Sequence, residues 1–310
     1  MQYQTKIRVL AALIIPALII TSIYAGTNKG TTGAEFLKIG VGARAAGLGE
    51  AYVSLAKDVN ALYWNPAGLA FIDTSEAGFE YNKWFEDINH SFMGLASKEI
   101  GNIGHFGAGV VYLTMDKFAG YDVNDIETGD IEAYDMAGII GYGKKVMIMD
   151  KEVGLGLNLK YIEQKIDDKK ADAIAFDAGL LADVHNNVTA GLSIQNMGNK
   201  VKFVQEQDNL PLLVRVGLSY EMKDYLIFTG ELDIDKEEEE QELALGIEYN
   251  MNELIYVRGG YKDRELGNGL NFGIGLKVKD MMINYAIADY DILDYVHRLS
   301  IHMRFGKEES

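Results

Sequence analysis

The chain contains no cysteine and only three prolines among its 310 residues. Without a thiol it has no disulfide, no thiolate metal ligand and no attachment point for the lipid of an acylated lipoprotein. Proline removes a backbone N–H from the ladder of a sheet. The scarcity of proline, beside 34 glycines and 18 tyrosines, therefore favours long, continuous strands over a helical enzyme.

Basic charge is also scarce, since 29 Lys and Arg residues stand against 46 Asp and Glu residues, a formal charge of −17. So acidic a chain is not expected to bind nucleic acid, because that binding depends on basic side chains at the phosphates. Its solvent-facing parts should be anionic, which favours divalent cations or basic partners.

The first 25 residues differ in kind from the rest. Lys6 and Arg8 precede an almost purely apolar run, Val9 to Ile20, and small residues lead to Ala25. This pattern predicts a secretory signal, residues 1–25, that is cleaved after Ala25. The alternative is a membrane anchor, but the apolar run is shorter than the roughly 20 residues of a spanning helix, and no later stretch approaches that length.

From about Glu76 to Phe305 apolar residues alternate with small or polar ones. In Val153–Tyr161 every second residue is apolar, and the residues between them are two glycines, an asparagine and a lysine. A period of two is typical of a strand with one apolar and one polar face. The pattern predicts 14 strands that begin near residues 76, 88, 104, 131, 152, 173, 187, 211, 225, 241, 254, 268, 281 and 296.

The apolar face is bulky in nearly every predicted strand, whereas the other face is rich in Gly, Ser, Asn and charge. This favours an all-β, transmembrane antiparallel β-barrel over residues 76–305, with a polar tail at 306–310, because hydrocarbon permits no unpaired strand edge. Tight and longer connections also tend to alternate, as turns and loops do in such barrels. A soluble β-sandwich or lipocalin-like barrel is the alternative, but it would hide its apolar face.

Residues 26–75 lack this alternation and predict a small helical plug inside the barrel. Helical character is expected over 50–57, Asp58 is a candidate N-cap, and Pro66 can open a further helical turn. Such short helices carry too little apolar surface to fold alone, so they should pack in the lumen. A cap on the periplasmic side is the alternative.

Two runs in this segment, Gly42 to Tyr52 and Ala61 to Leu69, resemble the N-terminal signature of the PorV/PorQ family, a branch of the FadL-like outer-membrane barrels. The resemblance implies a barrel of fourteen strands whose plug motif comprises Arg44, Asn65, Pro66, Ala67, Gly68 and Leu69. For PorV-like members it also implies a part in type IX secretion, with secreted cargo proteins and other secretion components as partners. For FadL-like members it implies passage of fatty acids or other hydrophobic molecules.

Charged side chains on the polar face should point into the lumen. Alternation places ten of them there: Arg215, Arg258, Arg298, Arg304, Asp177, Asp183, Glu231, Asp233, Glu242 and Glu248. Their mixed signs favour ion pairs against the plug, with Arg44 as one partner, over an open pore of one sign. A generic solvated lumen is the alternative.

The sequence does not predict catalysis, a metal or a cofactor. The five histidines, at positions 90, 105, 185, 297 and 302, show no metal-ligand spacing and no nucleophile presented with a base. The acidic run Glu237–Glu240 could bind calcium or a basic partner, but a solvated loop is favoured.

The sequence thus predicts a non-enzymatic protein of the outer membrane, in contact with its lipid. A secretion accessory that receives cargo at its outer face is favoured over a transporter of hydrophobic compounds. The reason is that most inward positions are small, polar or charged, whereas a transporter should have an apolar pocket in its lumen.

Overall fold

A computed structural model describes residues 30–85, 88–148, 150–203, 206–263, 269–290 and 295–306. The predicted signal, residues 1–25, and residues 307–310 of the predicted tail lie outside this part of the chain. Fourteen strands close into an antiparallel barrel, which confirms the predicted fold class. No helix among these residues is long and apolar enough to cross a membrane.

Each barrel strand pairs with the next barrel strand along the chain. The first strand pairs with the last and so closes the barrel, with Ser75 opposite Phe305 and Lys83 opposite His297. All fourteen begin within four residues of the predicted starts. They are β1 (Ser75–Lys83), β2 (Asn89–Ala96), β3 (His105–Thr114), β6 (Ala133–Ile148), β7 (Lys151–Ile166), β8 (Lys169–His185), β9 (Val188–Gly198), β12 (Leu213–Met222), β13 (Leu226–Asp235), β14 (Glu240–Asn250), β15 (Ile255–Lys262), β16 (Leu270–Val278), β17 (Met281–Asp289) and β18 (Tyr295–Phe305).

The connections define two different ends of the barrel. Of the described residues, the loop end carries 84–85, 88, 115–132, 167–168, 199–203, 206–212, 236–239, 263, 269 and 290. The turn end carries residues 97–104, 150, 186–187, 223–225, 251–254 and 279–280. Two loop-end connections contain small hairpins, β4 (Phe118–Tyr121) with β5 (Glu127–Ile131) and β10 (Val201–Phe203) with β11 (Glu206–Asp208).

The outside of the barrel is apolar. Every barrel strand exposes at least one large hydrophobic side chain, as β7 does with Leu155, Leu157, Leu159 and Tyr161. Exposed tyrosines cluster near the strand termini, at the loop end (Tyr81, Tyr112, Tyr161, Tyr261, Tyr285 and Tyr295) and at the turn end (Tyr220 and Tyr249). An apolar belt between aromatic girdles is the outer surface of a membrane barrel. A soluble barrel would not present it to water.

Residues 30–72, hereafter the plug, lie within the ring of strands. They contain helix α1 (Ala43–Gly47), helix α2 (Ala61–Trp64) and two 3₁₀ turns, Glu35–Lys38 and Pro66–Phe71. The helix expected over 50–57 is wrong. Gly49 and Glu50 take left-handed φ angles of 68° and 69°, and the backbone N–H groups of Tyr52 and Val53 donate to Glu231 of the barrel wall instead of to a helix.

Inward-facing glycines let the plug approach the wall. A Cβ on Gly156 of β7 would lie 2.1 Å from the backbone nitrogen of Ala67, and one on Gly260 of β15 would lie 2.0 Å from that of Gly49. Any side chain at these positions would displace the plug, so the glycine-rich inner face follows from the plug's position.

Candidate functional site: the plugged lumen

Ion pairs attach the plug to one side of the lumen, formed by β12 to β18 and hereafter the charged half. Arg44 of α1 donates to both carboxylate oxygens of Glu248, over 2.9 and 2.7 Å, and Arg258 Nε donates to the same carboxylate over 2.5 Å. Bidentate pairing of this kind fixes geometry as well as charge. Glu248 therefore joins one cation of the plug to one of the wall.

A second group of charges surrounds Glu50 of the plug. Lys262 Nζ lies 3.0 Å and Arg298 Nη2 lies 2.8 Å from its two carboxylate oxygens. Arg298 also donates to the backbone carbonyl of Gly40 over 2.8 Å. All three side chains are at least nine-tenths buried, so these charges neutralise one another where water is largely excluded.

A third attachment is made by Glu231 of β13. Its Oε2 accepts the backbone N–H groups of both Tyr52 and Val53 over 2.6 Å. Arg215 lies 3.6 Å from the Glu231 carboxylate, and its guanidinium stacks 4.5 Å above the Trp64 ring. Carboxylate, guanidinium and indole together hold the centre of the plug.

The structure therefore brings Arg215, Glu231, Arg258 and Arg298 against the plug. Arg304 is different, because its side chain is 60% exposed at the turn end, 3.3 Å from Glu76. Sequence reasoning missed Glu50 and Lys262. Alternation along β15 could have identified Lys262 as inward, four residues after Arg258.

The rest of the plug motif shapes the segment between α2 and β1. Asn65 Oδ1 accepts the N–H of Ala67 over 3.1 Å and so caps the turn that Pro66 opens, while Asn65 Nδ2 donates to the carbonyl of Leu180 over 3.1 Å. A Cβ on Gly68 would lie 1.5 Å from the carbonyl oxygen of Ala56. Leu69 is fully buried in the core.

The opposite side of the lumen is apolar towards the loop end. Phe36 and Leu37 of the plug share a core with the wall residues Val111, Ile139 and Ile162. The same core contains Ala171, Ala173 and Ala175 of β8, and Val201 and Leu210 from a loop-end connection. We call this region the apolar half. The sequence analysis did not predict an apolar lining of the lumen.

A β-bulge in β9 lies between the two halves. Gln195 and Asn196 both oppose Asp177 of β8, and both are buried. Gln195 Nε2 donates to the carbonyls of Tyr63 and Trp64 over 2.5 and 2.9 Å. Because a bulge inserts one extra residue, two neighbouring side chains are buried here; Gln195 bonds to the plug, whereas Asn196 accepts from Lys160 and donates to the carbonyl of Pro211.

A polar cavity of about 770 Å³ opens beneath the plug at the turn end. Its walls include Arg44 and Lys57 of the plug and Asp183, Glu221 and Arg304 of the barrel. The plug therefore separates an apolar region near the loop end from a polar basin at the turn end.

The acidic run at 237–240 is not simply a solvated loop. Glu238 is buried and lies 2.8 Å from Lys38 of the plug, and its carboxylate also accepts the N–H of Gly30. Burial alone would lower the pKa of Lys38, but hydrogen bonds to Glu238, Glu35 and Asp235 outweigh it and raise that pKa above its usual value. The run anchors the start of the plug.

One of the five histidines, His302, lies where the barrel closes. His302 of β18 lies 2.9 Å from Glu76 and 3.0 Å from Glu80, both on β1, so it links the first strand to the last. The described residues contain no group of three or more His, Asp or Glu side chains that could hold a metal ion.

No protein-family model and no curated protein matches the sequence. Among solved structures, the P. putida toluene transporter TodX matches with a TM-score of 0.60 at 13% identity, over 87% of this chain and 99% of that one. The fold is FadL-like. A Pseudomonas aeruginosa FadL homologue matches with a TM-score of 0.52 at 12% identity, over 84% of this chain and 98% of its own. The FadL-like barrel described here thus spans nearly the whole length of both.

Proposed function

We propose that this FadL-like barrel lies in the outer membrane, with its loop end outside the cell, and passes small hydrophobic compounds. The observation that carries the proposal is the apolar half of the lumen, which begins at the loop end beneath residues 34–37 of the plug. The toluene transporter that shares the fold supports the same assignment.

The plug would act as the gate of this channel. Its first turn, Glu35–Lys38, covers the apolar half, and Phe36 and Leu37 fill space there that a ligand could take. The ion pairs of Lys38 with Asp235 and Glu238 hold this turn at the loop end, and the ion pair of Arg44 with Glu248 holds α1 in the charged half. Ligand entry would displace the first turn, with Phe36 and Leu37, and leave α1 in place, because α1 contacts the opposite side of the lumen.

A disulfide between plug and loop tests this directly, because the native chain has no cysteine to interfere. A Cβ on Gly33 would lie 3.3 Å from the Cβ of Asp208 in β11, close to the roughly 3.5–4.5 Å that disulfides span. In the double variant Gly33→Cys and Asp208→Cys, oxidation should stop uptake of an apolar fluorophore by cells that make the barrel, and reduction should restore it.

Each single cysteine variant, oxidised in the same way, is the matched control and should take up the fluorophore normally. Uptake that continues at the full rate in the oxidised double variant would refute a gate at the first turn of the plug. Uptake no greater than that of cells without the barrel, in every variant, would refute the channel itself.

A role in secretion, and membership of the PorV/PorQ branch, stay predictions from the motif at 42–52 and 61–69. The structural observation that favours a protein partner is the β4–β5 hairpin, which exposes Tyr121, Val123 and Ile126 to solvent. Gentle extraction of the barrel followed by mass spectrometry separates the two functions. Bound protein without an apolar small molecule would favour secretion, and the reverse would favour transport.

A further inference from the structure

The two ends of the barrel differ strongly in charge. Among the residues that the structure describes, the loop-end connections contain 13 acidic and 4 basic side chains, a formal charge of −9, whereas the turn-end connections contain 5 acidic and 3 basic ones, a charge of −2. The entrance to the apolar half therefore lies at the more acidic end of the barrel. A field of one sign at an entrance changes the local concentration of charged ligands.

Several cations near this entrance are already held by carboxylates. Lys38 of the plug lies 2.8 to 3.0 Å from three of them, on Glu35, Asp235 and Glu238. On the wall, Lys170 pairs with Glu163 over 2.9 Å. These lysines are therefore poor partners for the carboxylate of an incoming molecule.

The apolar half offers an anion no better partner. The cation of the described wall beside it is Lys160, which is 3% exposed, lies 2.9 Å from Asp177 and donates to Asn196 over 2.8 Å. The other wall residues of this region are Val, Ile and Ala, apart from Gln164, which accepts the N–H of Ala34 over 3.1 Å, and its cross-strand neighbour Asp135, whose carboxyl group offers an anion no partner. An ion that left water here would lose its hydration without a compensating pair, which is costly.

We propose that the channel selects by charge, admitting neutral and cationic apolar molecules and excluding anionic amphiphiles such as carboxylates. The inference rests on the proposed function and adds the class of substrate. Two barriers act on the anion. The acidic loop end slows its approach, an effect that salt screens, and the apolar half penalises its desolvation, an effect that salt leaves largely unchanged.

A tryptophan introduced by Phe36→Trp provides a probe of entry, because Phe36 packs in the apolar half. Trp84→Phe is made in the same chain, and quenching is compared with that of Trp84→Phe alone, in which Trp64 is buried beside Arg215. Three ligands with the same ten-carbon chain and a terminal bromine, which quenches tryptophan on contact, would carry a hydroxyl, a trimethylammonium or a carboxylate at the other end. The barrel is kept in an uncharged detergent, and the quenching rate is measured at low and high salt.

At low salt the alcohol and the ammonium should quench the introduced tryptophan at least about tenfold faster than the carboxylate, at the lower end of known steering effects. High salt should lower this ratio of quenching rates but leave it above one. The triple variant Glu127→Lys, Asp130→Lys and Glu239→Lys should narrow it in the same way, since all three side chains are exposed at the loop end.

The matched control reverses three exposed acids at the other end, Glu152→Lys, Glu253→Lys and Asp280→Lys, with the same change in net charge. It should leave the ratio unchanged. A carboxylate that quenches as fast as the alcohol at low salt would overturn charge selection while leaving the channel intact. If none of the three ligands quenches the introduced tryptophan beyond the Trp84→Phe parent, the channel fails, and charge selection fails with it.

Discussion

At the scale of single residues, Glu248 contributes more to holding the plug against the wall than either of the arginines that it binds. One carboxylate serves Arg44 of the plug and Arg258 of the wall, and it is almost completely buried. Glu248→Gln would leave two guanidinium groups close together without their anion. Removing one partner of a buried pair costs about 3–5 kcal/mol, and we expect a loss of that size in the free energy of unfolding, measured with denaturant in detergent.

Glu239→Gln is the control for this substitution, because Glu239 is exposed in a loop-end connection. Its effect should stay within about 0.5 kcal/mol, as for most surface changes. If both variants lost the same free energy of unfolding, Glu248 would contribute no more to stability than an exposed carboxylate does.

The sequence could predict which charges face inward but not how they pair. Strand alternation placed Arg215, Glu231, Arg258 and Arg298 in the lumen, because the period of two is a local property of the backbone. The choice of Glu248 as the partner of Arg44, 204 residues away, depends on the path of the plug through the lumen. No local pattern in the sequence encodes that path.

At the scale of elements, the 3₁₀ turn Pro66–Phe71 rests directly on β7. A methyl group on Gly156 would lie 2.1 Å from backbone atoms of Pro66 and Ala67, so Gly156→Ala must move the turn. We expect a loss of about 1–3 kcal/mol in the free energy of unfolding, as for other overpacked sites. We also expect a higher conductance for single barrels in a planar bilayer.

Gly138→Ala in the neighbouring strand β6 is the control, since its added methyl would meet only one backbone oxygen, at 4.0 Å. Both variants make the same chemical change in a strand. If Gly138→Ala altered stability and conductance as much as Gly156→Ala, the effect would belong to strand propensity and not to the plug.

The barrel strands could be predicted because their alternation is long and regular. The hairpins β4–β5 and β10–β11 were not predicted, because strands of three to five residues are too short to show a period. In the plug the helix expected at 50–57 formed instead at Ala43–Gly47. Local propensity was overridden there by the hydrogen bonds that Tyr52 and Val53 donate to Glu231.

At the scale of the whole molecule, the division of the lumen into charged and apolar halves changes the functional conclusion. The sequence favoured a secretion accessory because inward positions averaged over all strands are mostly small or polar. A few neighbouring strands differ from this average because their inward residues are apolar, as are Ile162 of β7 and Ala171, Ala173 and Ala175 of β8. Their grouping into one apolar surface requires the barrel to close and the plug to bring Phe36 and Leu37 against it.

Spin labels can show whether the outward side chains of the strands contact lipid. Single cysteines in this cysteine-free chain would carry a label at Leu157 or Ile274, outward on β7 and β16, or at Val123, fully exposed in a loop-end connection. In lipid bilayers, oxygen should relax the labels at positions 157 and 274 more than a water-soluble nickel chelate does, and the reverse should hold at 123. Equal relaxation by the nickel chelate at all three positions would contradict a membrane barrel.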